Sequence, residues 1–319
     1  MKIANRMEKL APSLTLSITA LANELKAAGK DILSFSAGEP DFDTPQVVKD
    51  AAIKAINEGK TKYTAVEGIK ETKQAIINKL KKDHNLDYTL DKIVISNGAK
   101  HSLFNLAQAL IDEGDEVIIP SPYWVTYPEL VVYSGGVPVF IETDESTEFK
   151  ITAKQLKEKI TPKTKILMLN SPSNPTGSIY SKDELLAIGE VLKGTDIVVL
   201  SDEMYEKLIY KGKKFTATAE VSEDMYNRTV TINGLSKSVA MTGWRFGYVA
   251  CPNSALAKAM SKLQGQVTSN VNSMTQYAAI VALEGEANKD IEMMRVEFEK
   301  RKDYAVKAIN NISKLSCYD

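Results

Sequence analysis

Between Gly234 and Gly247 the chain sets an amine, hydroxyls and a guanidinium within a few residues of one another: Ser236-Lys237-Ser238, then Thr242-Gly243-Trp244-Arg245. A lysine amine condenses with a carbonyl to a Schiff base, and an arginine holds a phosphate through two parallel hydrogen bonds. Glycines permit tight turns around these groups, and the apolar run Val230 to Ile232 just ahead reads as a strand that delivers them. An aldehyde that carries a phosphate would engage both groups, and the cofactor of that description is pyridoxal 5'-phosphate.

Other polar segments add to this chemistry, each with a plainer reading beside it. Asp202 ends the run Ile197-Val198-Val199-Leu200-Ser201, where an ionised carboxylate is costly to bury without a partner. A protonated pyridine nitrogen would be that partner and would make the ring an electron sink; a helix-capping aspartate would look the same. Tyr205 can donate to the ring's phenolate oxygen, or simply pack. In Asn170-Ser171-Pro172-Ser173-Asn174-Pro175-Thr176-Gly177 the prolines stiffen the backbone, so the Asn174 amide can be aimed at an oxygen of ligand or cofactor; a tight loop without a ligand also fits. Ser96-Asn97-Gly98-Ala99-Lys100 joins a strand to a helix whose first N–H groups can bind an anion, or is an ordinary turn. Trp124 can stack on a flat heteroaromatic ring or serve the core.

The composition excludes several classes. With 319 residues, 44% apolar and 25% charged, the chain can bury a large core and is expected to form one large domain and a smaller one. Its 40 basic and 41 acidic residues nearly cancel, which gives no reason to expect nucleic acid or a membrane surface as partner. Cys251 and Cys317 stand far apart, outside any CxxC spacing, so neither a disulfide framework nor a zinc site is expected. His84 falls in a charged stretch expected to be exposed, and His101 reads as an incidental helix residue; metal catalysis is discounted. Met1 to Arg6 holds no apolar signal core and no apolar run reaches membrane-spanning length, which points to a reducing, cytoplasmic setting.

The elements that would position these residues alternate as in a wound α/β sheet. Helices are expected over Leu16 to Lys26, after Thr44 as N-cap with Val47, Val48, Ala51, Ala52, Ala55 and Ile56 on its apolar face, and over Ile69 to Lys82. A short strand is expected at Ile32 to Phe35, leading into the loop Ala37-Gly38-Glu39-Pro40. Further strands are expected at Ile93–Ile95, Glu116–Ile119, Val137–Ile141, Lys165–Leu169, Ile197–Leu200, Val230–Ile232 and Tyr248–Ala250. A helix ends near Leu110, and a last one, Glu292 to Asn311, carries Met294, Phe298, Ala305, Ala308 and Ile312 on one stripe. The polar residues follow strand-like runs, and open α/β sheets bind ligands beyond the carboxyl ends of their strands, so separate segments can converge on one pocket.

Together these strings resemble the fold-type I pyridoxal-phosphate enzymes, specifically the class I aminotransferases and within them the bacterial aspartate aminotransferases, from about Leu10 to the last residue. Ser236-Lys237 with Gly243-Trp244-Arg245 is similar to the family's cofactor-attachment signature; Asn174-Pro175-Thr176-Gly177 and Asp202-Glu203-Met204-Tyr205 are similar to two more. The resemblance implies a mostly parallel seven-stranded sheet sandwiched by helices, with a smaller α+β domain drawn from both chain ends. The division would be an arm and part of the small domain at 1–45, a large cofactor domain at 46–285, and a linking helix with the start of the small domain at 286–319. It implies Lys237 as the Schiff-base lysine, Asp202 on the ring nitrogen, Asn174 and Tyr205 on the ring oxygen, and Ser236 and Arg245 on the phosphate. Gly98, Ala99 and Lys100 match the phosphate cradle and Trp124 the stacking aromatic. Tyr63 matches a tyrosine that reaches the phosphate in a neighbouring subunit, which implies a homodimer with shared sites. Gly38 matches the glycine at the substrate α-carboxylate, with Trp124 and Asn174 also facing substrate. Lys100 matches a lysine that approaches the distal carboxylate of dicarboxylic substrates.

The implied reaction is transamination between an L-amino acid, foremost L-aspartate, and 2-oxoglutarate, giving oxaloacetate and L-glutamate. Departures qualify the match. Ala99 stands where relatives often place a hydroxyl, and Phe246 is bulkier than the aliphatic residue expected there. The family runs on for several tens of residues beyond Asp319, including an arginine that clamps the substrate carboxylate, and none of Arg6, Arg228, Arg245, Arg295 and Arg301 stands in such a context. An incomplete chain that binds cofactor with little turnover is therefore one alternative; a β-lyase or an aminotransferase for aromatic, kynurenine-like or prephenate substrates is another.

Overall fold

A computed structural model describes residues 1–35 and 38–318, the side chains of Leu14 and Leu16 excepted. Its centre is a seven-stranded sheet: β1 (Ile93–Asn97), β2 (Glu116–Ser121), β3 (Val137–Glu142), β4 (Thr164–Asn170), β5 (Val198–Asp202), β6 (Thr229–Gly234) and β7 (Phe246–Ala250), in the order β1-β7-β6-β5-β4-β2-β3. β7 runs antiparallel to both of its neighbours, and the other pairs are parallel.

The apolar runs make strands covered on both faces, and successive residues feed different cores. Ile93 and Ile95 of β1 and Tyr248 of β7 join a cluster with Ile76 and Leu80 of helix Lys70–His84 and Ala278 and Ala279 of helix Ser273–Glu284. Val94 and Val249 point the other way, to Leu103 and Leu106 of helix Ala99–Leu110 and Met260 of helix Ser254–Val267. A third cluster packs Leu167, Leu169 and Val199 beneath helix Lys182–Leu192, whose start is fixed by a capping box between Ser181 and Glu184. Phe246 is wholly buried in the first cluster, which absorbs its extra bulk.

Some expectations fail for local reasons. Ile32 to Phe35 forms no strand: the sheet's edges are β1 and β3, neither pairs with it, and Leu33 and Phe35 are 84% and 95% exposed. Ala37 of the following loop lies outside the described residues. Thr44 does not cap the helix Gln46–Asn57, because its hydroxyl donates to the Ala240 carbonyl at 2.7 Å and accepts from Trp244 Nε1 at 3.0 Å. On that helix Val48, Ala52 and Ala55 are buried, while Ile56 is exposed. Of the stripe expected on the last helix, observed at Asn288–Asn310, Met294 is buried but Ala305 is exposed, and Ile312 lies past the helix end and is exposed too. Among the described residues no helix is long and apolar enough to cross a membrane.

Candidate active site

The carboxyl ends of β1, β4, β5 and β6 lie on one edge of the sheet, and the reversal of β7 brings Arg245, the residue before its first, to that same edge. There a cavity of about 420 Å³ opens, lined by Gly38, Ala99, Lys100, Trp124, Asn174, Asp202, Tyr205, Ser236, Lys237 and Arg245 together with Glu39, Tyr127, Asn170, Met204, Thr242, Thr15 and Thr19. Most of the residues singled out from sequence are thereby brought together. Gly98 lies under the Arg245 guanidinium rather than on the wall. Tyr63 stands apart, 92% exposed.

Asp202 forms one buried end of the site. Its Oδ2 accepts from Tyr127 Oη at 2.9 Å and its Oδ1 from the Met204 N–H at 3.2 Å. Burial pushes its pKa up to about 6 in spite of these bonds, and among the described residues no cation contributes to its titration. Tyr205 is pushed up to about 12 by burial and by the Asp202 charge, with the Asn174 side chain hydrogen-bonded to it in opposition. Asn170 ties this end together: its Nδ2 donates to the Asp202 carbonyl at 3.0 Å and its Oδ1 accepts from the Asn174 N–H at 2.6 Å.

At the other end, helix Ala99–Leu110 starts at Gly98 with φ 82° and without a side-chain cap, and its first two residues, Ala99 and Lys100, line the cavity. Arg245 takes a left-handed backbone, φ 58°, and its guanidinium donates to the Thr242 carbonyl at 2.9 Å. Glycines make the close approach possible. A Cβ on Gly98 would sit 2.5 Å from the Arg245 guanidinium, and one on Gly247 would sit 2.3 Å from the Ala99 nitrogen. Lys237 lies between the two ends with its amine donating to the Gly38 carbonyl. Burial lowers its pKa, opposed by Glu39 and aided by Arg245. Lys100 holds its amine 4.8 Å from the Trp124 ring centre, and burial and Arg245 lower its pKa too.

Two residues were misjudged or missed. His84 is not exposed: its ring is buried between Glu206 and Glu220, each at 3.1 Å, edge-on to Phe215 at 5.5 Å, because the end of its helix packs behind the turn that follows β5. Tyr127 carries no sequence signal, since a tyrosine within Thr126-Tyr127-Pro128-Glu129-Leu130-Val131 reads as packing; only the fold aims its hydroxyl at Asp202.

A mostly parallel sheet with one reversed strand, gathering a lysine and a buried carboxylate at its carboxyl edge, is an α/β architecture with a cavity at the strand ends. The family model for class I and II aminotransferases matches residues 30–319, and the chain belongs to that family. It is 51% identical over 317 residues to the aspartate aminotransferase of Geobacillus stearothermophilus, covering 99% of this chain and 80% of that protein. To the aspartate/prephenate aminotransferase of Nitrosomonas europaea it is 48% identical over 318 residues, again covering 99% and 80%. The solved aspartate aminotransferase from Rhizobium meliloti superposes with a TM-score of 0.96 at 43% identity, over all of this chain and 79% of that one. That of Thermus thermophilus with maleate gives 0.94 at 39% identity, over 97% and 80%. The chain is thus an aminotransferase, a transferase of amino groups.

Proposed function

We propose that the chain binds pyridoxal 5'-phosphate at Lys237 and transfers the amino group of L-aspartate to 2-oxoglutarate, yielding oxaloacetate and L-glutamate. The observation that carries this reading is the meeting, in one cavity, of a lysine amine with a lowered pKa and a buried carboxylate whose pKa burial raises. The donor set fits the cofactor end to end. Asp202 offers the negative charge a pyridinium needs, and Tyr205 and Asn174 offer donors to a ring oxygen. Ser236, Arg245 and the first N–H groups after Gly98 cradle a phosphate.

When bound, the cofactor supplies an electron sink for the charge left as the substrate loses its α-proton. Lys237 removes that proton from Cα and returns one on the way to product; its lowered pKa keeps more of the amine neutral and able to accept. Asp202 would hold a proton on the ring nitrogen, and Tyr127 keeps the carboxylate oriented. Trp124 would cover the ring face, Gly38 and Asn174 would meet the α-carboxylate, and Lys100, whose amine lies over Trp124 in the cavity, would receive the distal carboxylate of a dicarboxylic substrate. Tyr63, exposed in the single chain, is read as reaching the phosphate site of a second copy in a cytoplasmic homodimer. The name of the Nitrosomonas europaea relative favours one second reading, in which prephenate is an additional amino acceptor.

Absorbance tests the proposal. The wild-type chain with pyridoxal phosphate should gain a visible band that Lys237→Ala lacks; aspartate should discharge the band and 2-oxoglutarate restore it. A band that no amino acid moves would overturn the reading. Restoration by prephenate as fast as by 2-oxoglutarate would establish the second one.

A further inference from the structure

We propose that Lys79, His84 and Glu206 form a positioning device that sets Tyr205 and Asp202 against the cofactor from behind; the inference rests on the cofactor reading above. After β5 the chain makes a hydrogen-bonded turn, with the Glu206 N–H donating to the Glu203 carbonyl at 3.0 Å. The turn's side chains divide. Asp202, Met204 and Tyr205 line the cavity, whereas Glu203 and Glu206 point away from it and are buried.

Both carboxylates that point away are pinned. Glu203 Oε1 accepts from Ser201 Oγ at 2.9 Å and from the Thr218 N–H at 3.1 Å. Glu206 meets Lys79 Nζ at 2.5 Å and His84 Nε2 at 3.1 Å, the three side chains being 5–9% exposed. His84 passes the contact on to Glu220, and Lys79 to Asp83, which also meets Lys207 at 2.7 Å. Burial works against the Lys79 ammonium, but Glu206, Tyr248 and Asp83 outweigh it and hold it above the ordinary lysine range. Burial likewise disfavours the charged imidazole, yet Glu206 and Glu220 bring its pKa up to about 9.

Ionised groups this deep do not stabilise a fold better than apolar side chains of the same volume would. What they supply is direction, since charge-assisted hydrogen bonds accept a narrow geometry. Here the His84 hydrogen bond and the Lys79 ion pair tie Glu206, the neighbour of Tyr205, to the helix Lys70–His84, and so would hold the tyrosine hydroxyl toward the ring oxygen. A Tyr205 that donates less leaves more charge on that oxygen and makes protonation of the bound cofactor's nitrogen easier.

The test replaces the ion pair by apolar groups, Lys79→Met with Glu206→Leu, and follows the folded protein with pyridoxal phosphate. The dissociation constant for the cofactor should rise about tenfold and the pH midpoint of the visible band should move up by about one unit. Adding Tyr205→Phe to this pair should move the midpoint no further than Tyr205→Phe alone, because both changes remove one interaction. A folded double variant with the wild-type midpoint and affinity overturns the proposal. Should the pair not fold, His84→Gln, which keeps a hydrogen bond but not the charge, carries the same test: an upward shift supports the device and an unchanged midpoint overturns it. A wild-type chain that never gains the band defeats the cofactor reading instead, so the two failures are distinct.

Discussion

The Tyr127 hydroxyl and Asp202 Oδ2 stand 2.9 Å apart with both groups buried, joining helix Thr126–Tyr133 to the last residue of β5. A hydrogen bond to a charged group is worth about 1.5–3 kcal/mol, on the order of ten- to a hundredfold in an equilibrium. Tyr127→Phe should therefore weaken pyridoxal phosphate binding by about tenfold or more while leaving the KM for aspartate nearly unchanged. Absorbance titration measures it, and an unaltered dissociation constant would refute the coupling.

Asp202 should set function against stability. Its folded pKa, raised by burial to about 6, lies above the ordinary 3.8, so the fold favours the protonated form. The carboxylate works against folding above pH 6, and the penalty vanishes as pH falls below the unfolded value. Without cofactor, Asp202→Asn should melt higher than wild type at about pH 7.5, with the gap closing by about pH 4. Its transamination rate should fall by on the order of a hundredfold, the usual scale for losing one placed electrostatic group. Equal melting temperatures at the higher pH would contradict the burial argument.

His84 predicts the opposite limb. Its folded pKa of about 9 exceeds the usual 6.5, so it contributes stability that is fully present below 6.5 and is lost as pH rises through about 9. Calorimetry across that window should show wild type losing stability faster than His84→Gln. Parallel curves would show that the ring carries no charge in the fold.

Gly247→Ala should be severe for one methyl group. The added carbon would lie 2.3 Å from the Ala99 nitrogen and 2.4 Å from the Gly98 carbonyl carbon, which are backbone and cannot swing away. Overpacking typically costs about 1–3 kcal/mol, and here the strain falls on the turn that starts helix Ala99–Leu110, the proposed phosphate cradle. Lower thermal stability and weaker binding of inorganic phosphate should appear together; a loss of stability with intact phosphate affinity would separate the two.

Much of this was legible from the chain because the signals are local. Apolar runs gave every strand of the sheet within a few residues, and Lys237, Arg245, Asp202 and Asn174 each follow or precede one, so the edge of the sheet had to gather them. What stayed hidden depends on distant partners. Ile32 to Phe35 has the composition of a strand but no edge to join, and Thr44 has the type of a cap but spends its hydroxyl on Ala240 and Trp244. His84 looked solvated because its neighbours in sequence are charged, while its neighbours in space, Glu206 and Glu220, lie more than a hundred positions away. Gln264 is similar: it is wholly buried, donates to the Val66 and Ile95 carbonyls and accepts from Ser96 and Asn105, contacts that no window of sequence reveals.

Gly234 and Gly247 are partners across β6 and β7, the last rung before the chain leaves the sheet and the first after it returns. The segment that carries Lys237 and Arg245 is consequently a closed loop moored at both ends to a single rung. Its length is a ruler: adding or deleting one residue would shift Lys237 against Arg245. The exposed turn at Lys211 to Lys213 joins no strand of the sheet and is held instead by the Glu299 carboxylate, which accepts from the Lys211 N–H at 2.5 Å. Changes of length should be absorbed there and rejected between the paired glycines.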